Sequence, residues 1–198
     1  MFNSRLLNNF LPALLWPVPY LIFKSWEINF FSAIIFIRLA IVVYCFLIRE
    51  MPTKRAPTYQ IIFAWIATFI PTLMNWQVNN ELYGLVGEII AVSGMVMFIF
   101  TCLELGKSFG VSPAKRSPVS SGIYSFIGHP MYWSHVVLEI GILVASPSKW
   151  NFAIAGVTWA SYLLRAHWEK QLLSSESQLE SGKLPLYAQN TSFMGQTH

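Results

Sequence analysis

Gly122-Ile123-Tyr124-Ser125-Phe126-Ile127-Gly128-His129-Pro130-Met131-Tyr132 is a compact polar segment set between a basic loop and an apolar run. Proline suits the first position of a helix, where it has no N–H to lose, so His129-Pro130 reads as a helix mouth. The backbone donors of Met131 and Tyr132 are then expected to point out of the helix end, where the macrodipole favours an anion. Such a mouth can hold the carboxylate tail of an amino-acid-like ligand. A capped helix with a buried histidine accounts for the same residues, and the segment alone leaves both readings open. Tyr124 and Tyr132 carry rings that can stack on a ligand and hydroxyls that can bond it.

Further along, Arg165 and Glu169 lie four residues apart and so share one helix face. The planar fork of an arginine can orient a carboxylate, and a nearby acid can receive an ammonium group or ribose hydroxyls. A helix-end ion pair with a snorkelling arginine is the competing reading. Arg38, Glu88 and Glu139 sit inside apolar runs, where an unpaired charge costs roughly 2.5–3.5 kcal/mol on insertion scales. Counting about 1.5 Å per residue, the three are expected to meet at one depth, as a structural pairing or as a headgroup site. His129, His135 and His167 are the candidate bases on this side, and His135 reads as a packing histidine. Cys45 and Cys102 show no metal-ligand spacing and read as small core residues.

The elements that must position these groups are apolar. With 55% hydrophobic and 11% charged residues in a chain of 198, the composition does not describe a soluble domain of this size. Stretches near 6–23, 28–48, 59–73, 82–103 and 131–164 approach or exceed the span of a bilayer, about 20 residues. Pro12, Pro17 and Pro19 interrupt the first. Ser146-Pro147-Ser148-Lys149 splits the last into a helical hairpin. No small-residue cleavage site follows the first apolar run, so no signal peptide is expected. The expected fold is all-α, an integral membrane helical bundle of about five to six transmembrane helices with a C-terminal hairpin. Residues 1–104 would form the N-terminal transmembrane helices. Residues 105–173 would carry the loop, the hairpin and the catalytic helix end, and 174–198 a polar, weakly structured tail.

Lys and Arg cluster in loops 49–55 and 107–116 and after Arg165, whereas the 75–80 turn has none. The positive-inside rule places the basic loops, both termini and all the polar motifs in the cytoplasm. The net charge of +4 is thereby a matter of topology, and no nucleic-acid partner is implied.

Taken together, Leu105-Gly-Lys-Ser-Phe-Gly110, Pro113-Ala-Lys-Arg116, Val119-Ser-Ser-Gly122-Ile-Tyr124, His129-Pro-Met-Tyr132 and Arg165-x-x-x-Glu169 resemble the isoprenylcysteine carboxyl methyltransferase family in its short bacterial branch. The resemblance covers residues 100–173 in order and spacing. It implies a multi-pass enzyme of the bacterial inner membrane that takes methyl from S-adenosyl-L-methionine on the cytoplasmic side. Its partners would be the lipid bilayer and a lipid-like or small-molecule methyl acceptor. Cofactor binding would fall to Arg116, Ser117, Pro118, Val119, Tyr124, His129, Pro130, Met131, Tyr132 and Glu169, and catalysis to Arg165 and Glu169, with no metal. The chain departs from the family's pattern at Gly128, where an arginine is usual, at Lys170, where a second acid is usual, and in the tail, where Leu186-Tyr187-Ala188 stands for a longer aromatic segment. A carboxylate acceptor is favoured: sulfonium and carboxylate charges cancel during transfer, a change that a water-poor pocket assists, and no base is needed. A catalytically silent membrane protein of the same fold and a phospholipid amine methyltransferase remain as alternatives.

Overall fold

The computed structural model of the chain describes residues 4–18, 30–52, 54–75, 78, 80–112, 114–115, 119 and 122–180. Their backbone is almost entirely helical. The helices are α1 (Ser4–Leu15), α2 (Phe30–Ile48), α3 (Thr58–Phe69), α4 (Glu81–Leu105), α5 (Pro130–Ala145) and α6 (Lys149–Glu180). α3 runs on into a 3-10 turn, Ile70–Leu73, that carries Pro71. The stretch expected at 28–48 is helical over its described residues, 30–48, those at 59–73 and 82–103 become helical close to their expected limits, and 131–164 becomes two helices. Of the first, α1 ends at Leu15, just ahead of Pro17, and 19–23 lie outside the described residues.

Local chemistry sets the ends of α4. The Asn80 side chain accepts from the N–H groups of Leu82 and Tyr83 at 3.0 and 3.3 Å, and Glu81 occupies the first turn, where the dipole favours an acid. Gly106, with a φ of +46°, closes the other end in a conformation that side chains disfavour. α6 is longer than its apolar half, 149–164. It continues past Ser174, where a weakly structured tail was expected, to Glu180; no proline interrupts it.

α4 and α5 pack antiparallel, backbone against backbone. A β-carbon on Gly87 would lie 2.5 Å from the Gly141 carbonyl oxygen and 2.6 Å from the Ala145 nitrogen. One on Gly94 would lie 2.5 Å from the Leu138 nitrogen, and one on Gly141 would run into the backbone nitrogen of Ala91. Gly87, Ala91 and Gly94 recur every three to four residues and therefore share a face. Small residues at such spacing let helices approach closely where apolar solvent offers no hydrophobic drive for association.

Two tethers hold the ends of the bundle. Lys54–Arg55 and Ala114–Lys115 form a two-residue antiparallel bridge with Lys54 opposite Lys115, and the Glu50 N–H donates to the Lys107 carbonyl at 2.8 Å. The two basic loops therefore lie side by side. At the opposite end Asn151, fully buried, donates through Nδ2 to the carbonyls of Asn75 and Ser146, both at 2.8 Å, and accepts from the Asn75 N–H at 2.9 Å. Asn75, where the 75–80 stretch begins, and the α5–α6 turn are thus pinned together.

An aromatic cluster fills the space between α1, α2 and α3. Phe46 stands 5.7 Å from Trp16, 5.9 Å from Trp65 and 5.1 Å from Phe109, centroid to centroid. Cys45 and Cys102 are fully buried in the same core, as their apolar setting suggested. Many large apolar side chains nevertheless face outward, among them Ile37, Tyr44, Ile66, Leu82, Ile89, Phe100 and Leu163. Among the described residues one helix, Glu81–Ser108, is long and apolar enough to cross a membrane. Ile35–Ile48, Thr58–Leu73 and Pro130–Ala145 are shorter apolar helices.

The glycine seam generates a paired test. Gly141→Val forces the α4 and α5 backbones apart and should lower stability in detergent by about 2 kcal/mol, in the range for overpacking. Gly156→Ala on α6 meets open space and should be neutral or gain about 0.5 kcal/mol. Thermal unfolding of both variants checks the contrast, and equal unfolding temperatures would rule out backbone contact at the seam.

Candidate active site

His129 is the one non-glycine residue among those described with a positive φ, 57° with ψ 53°. Holding a side-chain-bearing residue in this left-handed conformation costs on the order of 1 kcal/mol. Pro130 then opens α5, buried at its first position. The expected anion cradle is corrected at one donor. The Tyr132 N–H bonds to the His129 carbonyl at 3.0 Å, and the Trp133 N–H points to the same oxygen at 3.4 Å. A residue preceding a helix offers its carbonyl to the first intrahelical bonds, so the Tyr132 donor is not available at the mouth.

The side chains of this turn meet α6. The Tyr132 hydroxyl donates to Glu169 Oε1 at 2.9 Å, and His129 Nδ1 lies 3.3 Å from Glu169 Oε2. The His129 and Tyr132 rings stack with centroids 5.4 Å apart. Burial pushes the Glu169 carboxyl up, but the bonds from His129 and Tyr132, together with the Arg165 charge, outweigh it and hold the group below its ordinary value.

Arg165 and Glu169 share a helix face as their spacing requires, yet among the described residues no ion pair joins them. Arg165 is only 4% exposed. Its Nη1 donates to Thr68 Oγ1 on α3 at 3.3 Å and its Nη2 to the Val111 carbonyl. Thr68 is free to accept because its own proton goes to the Ala64 carbonyl at 2.7 Å. The guanidinium carbon sits 5.1 Å from the Tyr132 ring centroid, a cation–π distance. Tyr132 therefore stands between the two residues expected to carry catalysis, its ring on one and its hydroxyl on the other.

Behind it the stack continues inward. Tyr162 lies 5.4 Å from Tyr132, nearly parallel, and its hydroxyl donates to the fully buried Glu139 at 2.8 Å. His135 packs against Tyr162 at 5.8 Å and Phe98 at 4.8 Å, which makes it the packing histidine its position suggested. Arg38 Nη2 lies 3.5 Å from His135 Nδ1. An arginine offers donors only, so this nitrogen is the acceptor and the histidine proton sits on Nε2. Arg38 and Glu139 thus flank one buried pair. Among the described residues no ion pair links either of them to Glu88, and the expected three-way meeting does not form as an ionic cluster.

Of the remaining expected cofactor residues, Arg116, Ser117 and Pro118 lie outside the described residues. Val119 is half-buried, and Met131 packs on the aromatic core. Tyr124 is half-buried, and its hydroxyl is enclosed without a hydrogen-bond partner among the described residues. Burial first, then Cys102, Glu104 and Glu169, pushes that hydroxyl well above its ordinary value. Thr68, Val111, Tyr162 and Glu104 are contributors that the sequence reading did not single out. Tyr162 carried a usable signal, three residues before Arg165 on one helix face.

Residues 82–176 match the family model for phospholipid methyltransferases. The chain carries a phospholipid methyltransferase domain. This family belongs to the isoprenylcysteine carboxyl methyltransferase-like group of membrane methyltransferases, the group to which the motifs pointed. The methyltransferase domain spans α4, α5 and most of α6, and it encloses every site residue above except Arg38 and Thr68. No curated protein and no solved structure matches the chain.

The depressed Glu169 carboxyl fixes the sign of an acid response. Its two bonds contribute in full above the ordinary carboxyl range, near pH 4.3, and are lost as pH falls through the lower folded-state value. Tyr132→Phe keeps the stack but removes one of these bonds. It should cost about 1 kcal/mol at pH 7 and move the acid limb of stability upward in pH. Thermal unfolding from pH 3 to 7, with Glu169→Gln as the variant lacking the titration, reads this directly; superimposable wild-type and Tyr132→Phe limbs would contradict it.

Proposed function

We propose that this methyltransferase takes its methyl group from S-adenosyl-L-methionine at the cytoplasmic ends of α5 and α6 and transfers it to a lipid-like or small apolar acceptor, with a carboxylate favoured. The convergence of His129, Tyr132, Arg165 and Glu169 on one helix mouth, inside the family segment, is the observation that carries the reading. The residues present fit such a cofactor. The Tyr124 hydroxyl is enclosed and lacks a partner among the described residues, and the His129 and Tyr132 rings form a ready stacking face.

Two further observations support placement in a membrane as a multi-pass bundle. Large apolar side chains face outward on α2, α3, α4 and α6, more apolar surface than water-soluble chains ordinarily expose. The bridged basic loops lie at the site's end of the molecule, since Arg165 bonds Val111 in one of them, while Asn75, which opens the cation-free stretch 75–80, is pinned at the other end. By the positive-inside rule this asymmetry supports a cytoplasmic site.

When bound, the cofactor supplies an electrophilic methyl on a sulfonium. The chain's part is positioning. Thr68 and Val111 fix the Arg165 fork, Tyr132 covers it, and the buried setting strengthens its hold on an anionic acceptor. A carboxylate acceptor held by this fork would need no base, because it has no proton to lose before taking the methyl group that the cofactor would supply. The His129–Glu169 contact favours a second reading, a phospholipid amine acceptor, because an imidazole beside a carboxylate can take the proton that an amine must lose.

Methyl transfer from labelled cofactor to prenylated cysteine, phosphatidylethanolamine and small carboxylate acceptors tests these readings. Base-labile methyl ester in the product supports a carboxylate acceptor, and base-stable N-methyl supports the amine. Arg165→Lys should lower turnover about 100-fold, since a point charge cannot reproduce the fork and small misplacements are costly. Glu169→Gln should mainly weaken cofactor binding, and Lys170→Glu should bind equally well or more tightly. Absence of turnover on every acceptor would instead support a silent member of the fold.

A further inference from the structure

We propose that Glu104 is a positioning residue of this site: its carboxylate fixes the turn Gly122–Ser125 and thereby holds the Tyr124 hydroxyl in the cofactor site. The proposal deepens the reading above and rests on it for the identity of the ligand.

Glu104 sits in the last turn of α4, where the helix end carries partial negative charge and disfavours an acid. Its compensation comes from outside the helix. The Ile123 N–H donates to both carboxylate oxygens, at 3.0 and 3.3 Å. Gly122 accommodates this approach in two ways. Its φ of +57° is one that side chains rarely adopt, and a methyl group there would collide with the Glu104 carboxylate.

The turn hangs from Ile123. Its N–H goes to Glu104, and its carbonyl accepts from the N–H groups of Phe126 and Ile127 at 3.3 and 3.1 Å. Ser125 closes the loop on itself through Oγ, which donates to the Gly122 carbonyl at 2.6 Å. Tyr124 is the next residue along, so the anchored peptide sets the direction of its side chain. The Tyr124 hydroxyl is enclosed, has no partner among the described residues, and feels the charges of both Glu104 and Glu169. Glu104 acts on the site through Tyr124 and does not itself touch the reacting atoms.

Two measurements on the full chain in detergent decide the matter. Calorimetric titration with S-adenosylhomocysteine should show Glu104→Ala and Tyr124→Phe each weakening binding about tenfold. The double variant should be no weaker than either single one, since both changes break the same link. Glu104→Gln retains an oxygen that accepts from Ile123 and should recover most of the loss. Hydrogen exchange at the Ile123 amide should quicken in Glu104→Ala and stay slow in Glu104→Gln. Additive losses in the double variant, or unchanged Ile123 exchange in Glu104→Ala, would overturn the proposal. A wild-type chain that fails to bind the probe would count against the cofactor reading, and the exchange measurement would then still decide whether Glu104 holds the turn.

Discussion

Everything at the site depends on how closely α4 and α5 approach. Gly87, Gly94 and Gly141 remove the side chains that would keep the two backbones apart, and the backbones meet in van der Waals contact. Because the helices run antiparallel, the C-terminal end of α4 and the N-terminal end of α5 share one end of the molecule. The loop from Gly106 to His129 then has only to cross from one helix to its neighbour. Glu104 can reach Ile123, and His129 is delivered to the mouth of α5, as geometric results of a seam several turns away.

At that mouth a single tyrosine organises four neighbours. Tyr132 stacks on His129 and on Tyr162, bonds Glu169 and covers Arg165. The arrangement keeps a buried cation and a half-buried carboxylate from neutralising one another directly. Each remains available with its own partners: Thr68 and a backbone carbonyl for the arginine, a hydroxyl and an imidazole for the acid. A direct Arg165–Glu169 pair, the simplest expectation from their spacing, would have spent both charges on each other.

Much of this was legible beforehand because membrane-like helices write their limits in composition. Proline at 17, 130 and 147 marked starts and stops that the backbone respects, whereas the caps at Asn80 and Gly106 emerge from the structure. The motif order around His129-Pro130 pointed to the right family, and the i,i+4 spacing put Arg165 and Glu169 on one face. What could not be read was tertiary in origin. Thr68 contacts Arg165 from a helix almost a hundred residues earlier, and Val111 contributes a carbonyl, which every residue has. The Tyr132 N–H was assigned to the ligand because a helix mouth usually offers it; the left-handed turn at His129 brings a carbonyl to it instead. The length of α6 was underestimated because polarity was read as an end, although serine, glutamine and glutamate leave a helix intact where no proline interrupts it.

The Val111 contact has a consequence for how such a protein can change. Arg165 is held from the 107–116 loop by the main chain, so the residue identity at 111 does not enter the bond. Substitutions in that loop can reshape what lies around the guanidinium while its anchor stays where it is, provided the path of the peptide is kept. A fixed electrostatic post inside a replaceable frame lets the side chains of the loop vary without rebuilding the helices.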